Sequence, residues 1–452
     1  MKKRIAEETI LLVSVLKWVT LATVVGIAVG GAATLFLYLL QEGSDYTAGI
    51  SYYYFLLPAG LFLSSLMVKY LAPDAQGHGT EKVIEAVHRN SGKINPMVVP
   101  VKLAATLITI ITGGSVGKEG PVGQIGAGVS SAFADIIRFD RHDRKKLVIC
   151  GISAGFAAVF GTPIAGAIFG IEVLFIGGML YEVLLPSFIA GIISFHVASA
   201  LGVTYFYRPL EFVPVFSESF FLAIIGAGIF FGFCSIILIE ALNAGKAFSD
   251  SIRIWKPLKG LFGGLLLVAG TLIFSERYLG LGLGTIEESL VGVEVVWYAF
   301  LLKIAFTSIT LNSGGSGGIV TPIFFIGATA GGFFAGVFNL DVATFSAIGL
   351  ISMLAGAANT PIAAGIMAVE MFGAKVAPWA VMAGIISFLV TAHRSVYPSQ
   401  VLAMKKSASV EVELGREIEK VEPKLRPRRR SITGTYVRAS RKRRRRRLRD
   451  RR

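Results

Sequence analysis

The feature that most constrains this 452-residue chain is a succession of apolar runs reaching from near its start to about residue 395. They lie near 12–40, 49–71, 97–113, 121–137, 147–160, 163–203, 217–243, 257–275, 291–311, 322–338, 344–357 and 361–395. Crossing a bilayer as a helix takes about 17–25 apolar residues. Several runs reach that length; others contain Gly or Pro breaks and are too short to cross alone. A chain in lipid must satisfy its own backbone, which leaves helices or closed barrels. Barrel strands alternate apolar and polar residues, whereas these runs are continuous. The expected fold is therefore all-α and polytopic. Composition agrees, with 54% hydrophobic residues and only 16% charged.

The net charge of +15 is local. Residues 424–452 hold 16 Lys/Arg and one Asp, which leaves 28 basic and 28 acidic residues elsewhere. That stretch has little to bury, so residues 404–452 are expected to form a disordered basic tail on the cytoplasmic side. It suits anionic lipid but offers nothing to read bases, so no specific nucleic-acid partner is expected. The start, MKKRIAEETI, is charged and has no signal-peptide cleavage pattern. Both termini are expected in the cytoplasm of a cell-membrane protein. Cys150 and Cys234 lie in apolar runs and read as buried thiols rather than a disulfide or metal pair.

The chain repeats itself. Residues 102–127, KLAATLITIITGGSVGKEGPVGQIGA, align without gaps on 303–328, KIAFTSITLNSGGSGGIVTPIFFIGA, at an offset of 201. Matches include Lys102/Lys303, Thr106/Thr307, Thr109/Thr310, Gly117/Gly318 and Pro121/Pro322. TPIAGAIFGIE at 162–172 pairs in the same order with TPIAAGIMAVE at 360–370. The loop IIRFDRHDRKKL at 136–147 is basic, while its counterpart FNLDVATFS at 338–346 has no Lys or Arg. Positive loops stay cytoplasmic, so the two loops should face opposite sides. The expectation is two inverted-topology repeats of tilted, partly broken helices, about 12–203 and 217–395. Such repeats place a substrate site at their junction.

In both halves a glycine loop runs into Pro and a new apolar helix: GKEGP then VGQIGAG, and GGIVTP then IFFIGAT. Pro suits a first helical turn, where its missing N–H has no partner to lose. Glycines let backbone N–H groups approach a ligand, and helix starts carry partial positive charge. Together they make an anion site of backbone amides. QGHGTEKVIEAVH at 76–88 is a third such start. Ordinary helix breaks with small residues for close packing are the plain alternative. GGSVGKE lacks P-loop spacing, and no catalytic or metal-ligating constellation is present. Glu119 stands immediately before one of these helices. Its carboxylate is a tethered anion that would occupy the site when ionised and leave when protonated or displaced, which makes it a gate. A salt bridge to Lys118 is the alternative.

These residues resemble the CLC family of chloride channels and chloride/proton antiporters, over roughly 10–403. GKEGP at 117–121 matches the family's G-[K/R]-E-G-P motif, GGIVTP at 317–322 resembles G-x-F-x-P with Val320 where Phe is usual, and GHGTE at 77–81 aligns with G-S-G-x-P. The resemblance implies a homodimer with one pore per subunit, bound chloride as the only ligand, and no further cofactor. It implies Glu119 as external gate and Tyr397, in RSVYPSQ, as inner gate, with an interfacial tyrosine as the alternative. Anion contacts would come from His78, Gly79, Gly117, Lys118, Gly318, Ile319, Val320 and Tyr397. His78 stands where the family has a chloride-binding serine; pH sensitivity, a polar plug or a helix cap are its possible roles. Val173 stands where antiporters carry an inner proton glutamate, with Glu172 in a structural position beside it. About fifty residues follow the membrane region, too few for the family's CBS pair. The leading expectation is a passive chloride channel gated by Glu119. Its alternatives are a chloride/proton antiporter and a fluoride-selective relative; an organic-anion carrier would want Arg or Lys in a roomy site.

Overall fold

A computed structural model describes residues 2–205 and 217–426. Sixteen α-helices in these residues fall into two sets of eight. The first set is α1 (Lys2–Ala48), α2 (Leu57–Leu71), α3 (Thr80–Arg89), α4 (Val98–Ile111), α5 (Glu119–Ile137), α6 (Arg141–Phe160), α7 (Pro163–Glu172) and α8 (Leu184–Ala200). The second is α9 (Glu218–Ser251), α10 (Lys256–Ile273), α11 (Leu283–Leu290), α12 (Ala299–Asn312), α13 (Val320–Phe338), α14 (Val342–Ala357), α15 (Pro361–Phe372) and α16 (Ala377–Val390). The two sets form the inverted-topology repeats that the sequence predicts, in an all-α membrane fold. Among the described residues six segments are long and apolar enough to span a membrane, and the long runs 163–203 and 361–395 each divide into two helices.

The same local devices punctuate both repeats. After α4 and α12, Gly113 and Gly314 adopt φ of +103° and +113°, a region that glycine enters without strain. Gly114 then donates to the Thr109 carbonyl at 2.7 Å and Gly315 to the Thr310 carbonyl at 2.9 Å, the Schellman closure of a helix end. Asp140 and Asp341, again 201 apart, accept N–H groups at the starts of α6 and α14. In each repeat, three residues from a reciprocal lattice cross the junction. The Ser115 N–H donates to Thr310 Oγ1 and the Ser316 N–H to Thr109 Oγ1, both at 3.1 Å. Gly117 and Gly318 exchange both backbone bonds, at 2.7 and 2.5 Å. A two-fold relation between the loops requires this reciprocity.

Glu172 and Glu370 are swapped in the same way. Glu172 accepts the N–H groups of Ile362 and Ala363 at 3.0 and 2.8 Å, at the start of α15. Glu370 accepts those of Ile164 and Ala165 at 3.0 and 2.8 Å, at the start of α7. Carboxylates at helix starts meet unpaired donors and favourable dipoles.

Part of the tail expected to be disordered from residue 404 is ordered. β1 (Phe175–Ile176) pairs in parallel with β2 (Val401–Leu402), and β3 (Val410–Glu411) pairs antiparallel with β4 (Lys424–Leu425). Val412 and Ile418 are buried with Ile176, Phe388 and Leu402. These apolar residues, few but clustered in space, give residues 404–426 something to pack on. The Arg-rich residues 427–452 lie outside the described residues.

Candidate anion site at the repeat junction

Three helix starts meet at the junction. α5 begins at Glu119, α13 at Val320 and α3 at Thr80. The paired Gly117 and Gly318 bring the first two together. A Cβ at Gly120 would lie 2.1 Å from the His78 carbonyl oxygen and 3.2 Å from the Gly318 Cα, so all three loops touch and only glycine fits. Lys102, fully buried, fixes the loop before α3 by donating to the Ala75 and Gly77 carbonyls at 3.1 and 2.5 Å. Lys303 does the same before α11, to the Tyr278 and Gly280 carbonyls at 3.2 and 2.9 Å.

Glu119 is buried, and its carboxylate reaches across to the other repeat. The Thr321 N–H lies 3.1 Å from one carboxylate oxygen, and the Thr321 hydroxyl lies 2.6 and 2.7 Å from the two. Lys118 takes no part in this contact. The first N–H groups of a helix have no intrahelical acceptor; at α13 the Glu119 carboxylate fills that role, as an anion would. The pair forms part of the wall of a cavity of about 1330 Å³, lined also by Lys118, Phe160, Phe324 and Glu287.

Behind the pair, Tyr397 is fully buried, so it does not face lipid as an interfacial tyrosine would. Its segment is pinned by Gln400, whose amide donates to the Val173 and Ala358 carbonyls at 2.9 and 2.8 Å. The Tyr397 ring packs against His78 at 5.6 Å between centroids. His78 does not cap α3 with its side chain. Three buried polar atoms here, His78 Nδ1, Thr80 Oγ1 and the Tyr397 hydroxyl, have no hydrogen-bonded partner. The two hydroxyls face each other without reaching bonding geometry. Leaving such groups unpaired costs about 1–3 kcal/mol each unless a ligand completes them.

The junction thus gathers His78, Gly79, Gly117, Lys118, Glu119, Gly318, Ile319, Val320 and Tyr397. Val173 is fully buried and presents only its carbonyl, to Gln400. Sequence reasoning missed Thr321 and Thr80. Thr321 carried a signal: at the offset of 201 it replaces Gly120, a departure within an otherwise matched loop.

A family model described as voltage gated chloride channel matches residues 60–392. The chain is similar to a chloride/fluoride channel protein of Pseudomonas syringae pv. tomato, 36% identical over 408 residues, covering 88% of this chain and 89% of that protein. A crystal structure of a CLC-type fluoride/proton antiporter aligns with a TM-score of 0.81 at 27% identity, covering 86% of this chain and 98% of that one. A slow cyanobacterial Cl−/H+ antiporter aligns with a TM-score of 0.72 at 19% identity, covering 83% of this chain and 94% of the other, which shows a shared fold.

Proposed function

The chain belongs to the CLC family of voltage gated chloride channels, whose business is anion transport, and from that premise we propose that it moves fluoride and chloride in exchange for protons, with Glu119 as gate and proton carrier. The passive chloride channel expected first has less support than its alternatives, because a relative 36% identical over 88% of this chain is named a chloride/fluoride channel protein and a solved structure similar over 86% of it is named a fluoride/proton antiporter.

One observation carries the reading: the Glu119 carboxylate sits on Thr321 where an anion would sit, with unpaired donors behind it. A small anion with dense charge holds its water tightly. Removing that water needs strong, directional N–H and O–H donors, and charge-assisted bonds are about twice as strong as neutral ones. The Thr80 and Tyr397 hydroxyls are of that kind, and His78 Nδ1 is one in the tautomer that carries its proton there. When Glu119 takes a proton it loses the charge that holds it to the helix start, and an anion replaces it. Tyr397 closes the other side. Val173 favours a second reading, passive conduction, since valine cannot carry a proton.

The similarity to CLC proteins of known structure supports a homodimer with one site per subunit. The basic start and the Arg-rich residues 427–452 support cytoplasmic termini, the latter against anionic lipid.

The test is efflux from liposomes, read with fluoride and chloride electrodes together with proton uptake. Fluoride or chloride leaving with protons entering is the expected result. Anion flux with no proton movement would replace exchange by passive conduction. Glu119→Gln is expected to remove proton movement and flatten the pH dependence of flux; a variant with the original pH dependence would rule out Glu119 as the gate.

A further inference from the structure

Exchange through this site poses a problem that the loops alone do not solve. Glu119 lines the large cavity, whereas Tyr397 and Glu81 do not. A proton released on the far side of Tyr397 therefore needs a second titratable group there, and Val173 is not one. We infer that Glu81 is that group: it exchanges protons with the inner solution and, through the hydroxyls of Tyr397 and Thr80, with Glu119. The inference rests on the proton-coupled reading above.

Glu81 lies in the first turn of α3, a polar helix that is not among the apolar spans. It is only partly exposed. One carboxylate oxygen accepts the Ser399 N–H at 3.0 Å and the Ser399 hydroxyl at 2.5 Å. The other is buried and unpartnered. The Thr80 hydroxyl, on the residue that adjoins Glu81, lies 3.2 Å from where a Cβ on Gly120 would stand, next to Glu119, and Tyr397, two residues before Ser399, packs its ring on His78 and faces Thr80. Two unpaired hydroxyls, one on the residue next to Glu81 and one two residues before its partner Ser399, thus share the junction with two carboxyls; Glu119 reaches the cavity and Glu81 is partly exposed. Burial pushes the Glu81 carboxyl up to about 7 despite its bonds to Ser399, so both of its charge states are accessible near neutral pH.

The charged groups around it are few. Glu85 and Lys82 act on Glu81 from its own helix. The 395–402 segment contributes Tyr397, and α5 contributes Glu119, which acts on that tyrosine. Lys102 of α4 and Lys246 of α9 act on neighbouring His78, and Lys145 of α6 on His88 at the far end of α3. Among these, Glu81 is the carboxyl with a free oxygen beside the hydroxyl pair.

The transfer conserves protons. The Glu81 O–H bond breaks as its proton goes to a hydroxyl oxygen, and the hydroxyl pair passes a proton to the Glu119 carboxylate. Glu81 ends ionised, both hydroxyls end neutral, and Glu119 ends as an acid no longer held as an anion by Thr321. The reverse sequence returns the proton.

Glu81→Gln tests the assignment, because an amide oxygen can still accept from Ser399 but the side chain carries no exchangeable acid proton. In liposomes, the ratio of protons to anions transported should fall by roughly tenfold or more, and Glu81→Asp should recover part of it. Ser399→Ala, which keeps the acid and the backbone N–H but removes the hydroxyl donor, should move the pH profile of proton uptake to higher pH; this second variant stands if Glu81→Gln does not fold. A wild-type proton-to-anion ratio in Glu81→Gln, or an unmoved profile in Ser399→Ala, would overturn the role of Glu81 while leaving exchange intact. A wild-type protein that moves no protons would overturn both.

Discussion

After Gly117 the first repeat places Lys118, Glu119 and Gly120; at the same positions after Gly318 the second places Ile319, Val320 and Thr321. Both loops start a helix, and their backbones bond reciprocally. Yet one supplies the carboxyl and the other the hydroxyl that holds it. The loops before α3 and α11 differ likewise. Lys102 holds GHGT (77–80) and Lys303 holds GLGL (280–283), each through two carbonyls, but only the first presents polar side chains. The lesson is a division of labour. Positions that stayed alike, such as the lysines, the Ser/Thr bonds and the swapped glutamates, hold the junction together. Positions that diverged face the candidate ion path.

The sharpest way to break this comparison is Thr321→Val, which keeps the backbone N–H and deletes the hydroxyl. A hydrogen bond to a charged group is worth about 1.5–3 kcal/mol, so Glu119 should leave the α13 start about 10- to 100-fold more readily, read as flux at high pH. Flux with an unchanged pH dependence would mean that the asymmetry at this position is idle. A smaller effect is expected from the symmetric pair Glu172→Gln and Glu370→Gln. Each should lower stability by about 1 kcal/mol through weakened helix-start capping, measured as a lower melting midpoint in detergent, with proton coupling retained in both. Loss of coupling in Glu172→Gln alone would place Glu172 on the proton route and void its reading as scaffold.

The smallest effect concerns a contact that α3 has and α11 lacks. Arg89, at the end of α3, forms a two-pronged bond with Glu417 at 2.6 and 2.6 Å, whereas the last turn of α11 has no basic residue. The Arg89 guanidinium holds the Glu417 carboxyl down to about 2, with Lys420 adding to it. A depressed folded value means that this contact stabilises fully above the ordinary value of 4.5 and is lost as pH falls from there toward about 2. Limited proteolysis of residues 404–426 should accelerate across that window, and Glu417→Gln should remove the pH dependence.

Much of this is legible in the sequence. The repeat offset, the Gly-Pro helix starts and Glu119 all stand in the linear text, and they meet in space as expected. Thr321 was not read as a site residue, because its importance lies in a partner 202 residues away. Thr80 and Glu81 sat inside a recognised motif but looked like an ordinary polar helix start until Tyr397 and Ser399 were seen against them. The order of residues 404–426 is not legible in the sequence because their few apolar residues are scattered along it and gathered only by packing.

The sequence by itself determined a membrane-embedded helical duplication with broken segments, because run length, glycine and proline act on the backbone locally and need no partner to do so. Tertiary structure alone decided which donor meets which acceptor: that the carboxyl of one repeat rests on the helix start of the other, that Glu172 and Glu370 exchange helices, and that three buried polar atoms of His78, Thr80 and Tyr397 go unpaired. Those contacts depend on how distant segments pack, and the energy of a buried polar group is set by the partner it finds there rather than by its neighbours along the chain.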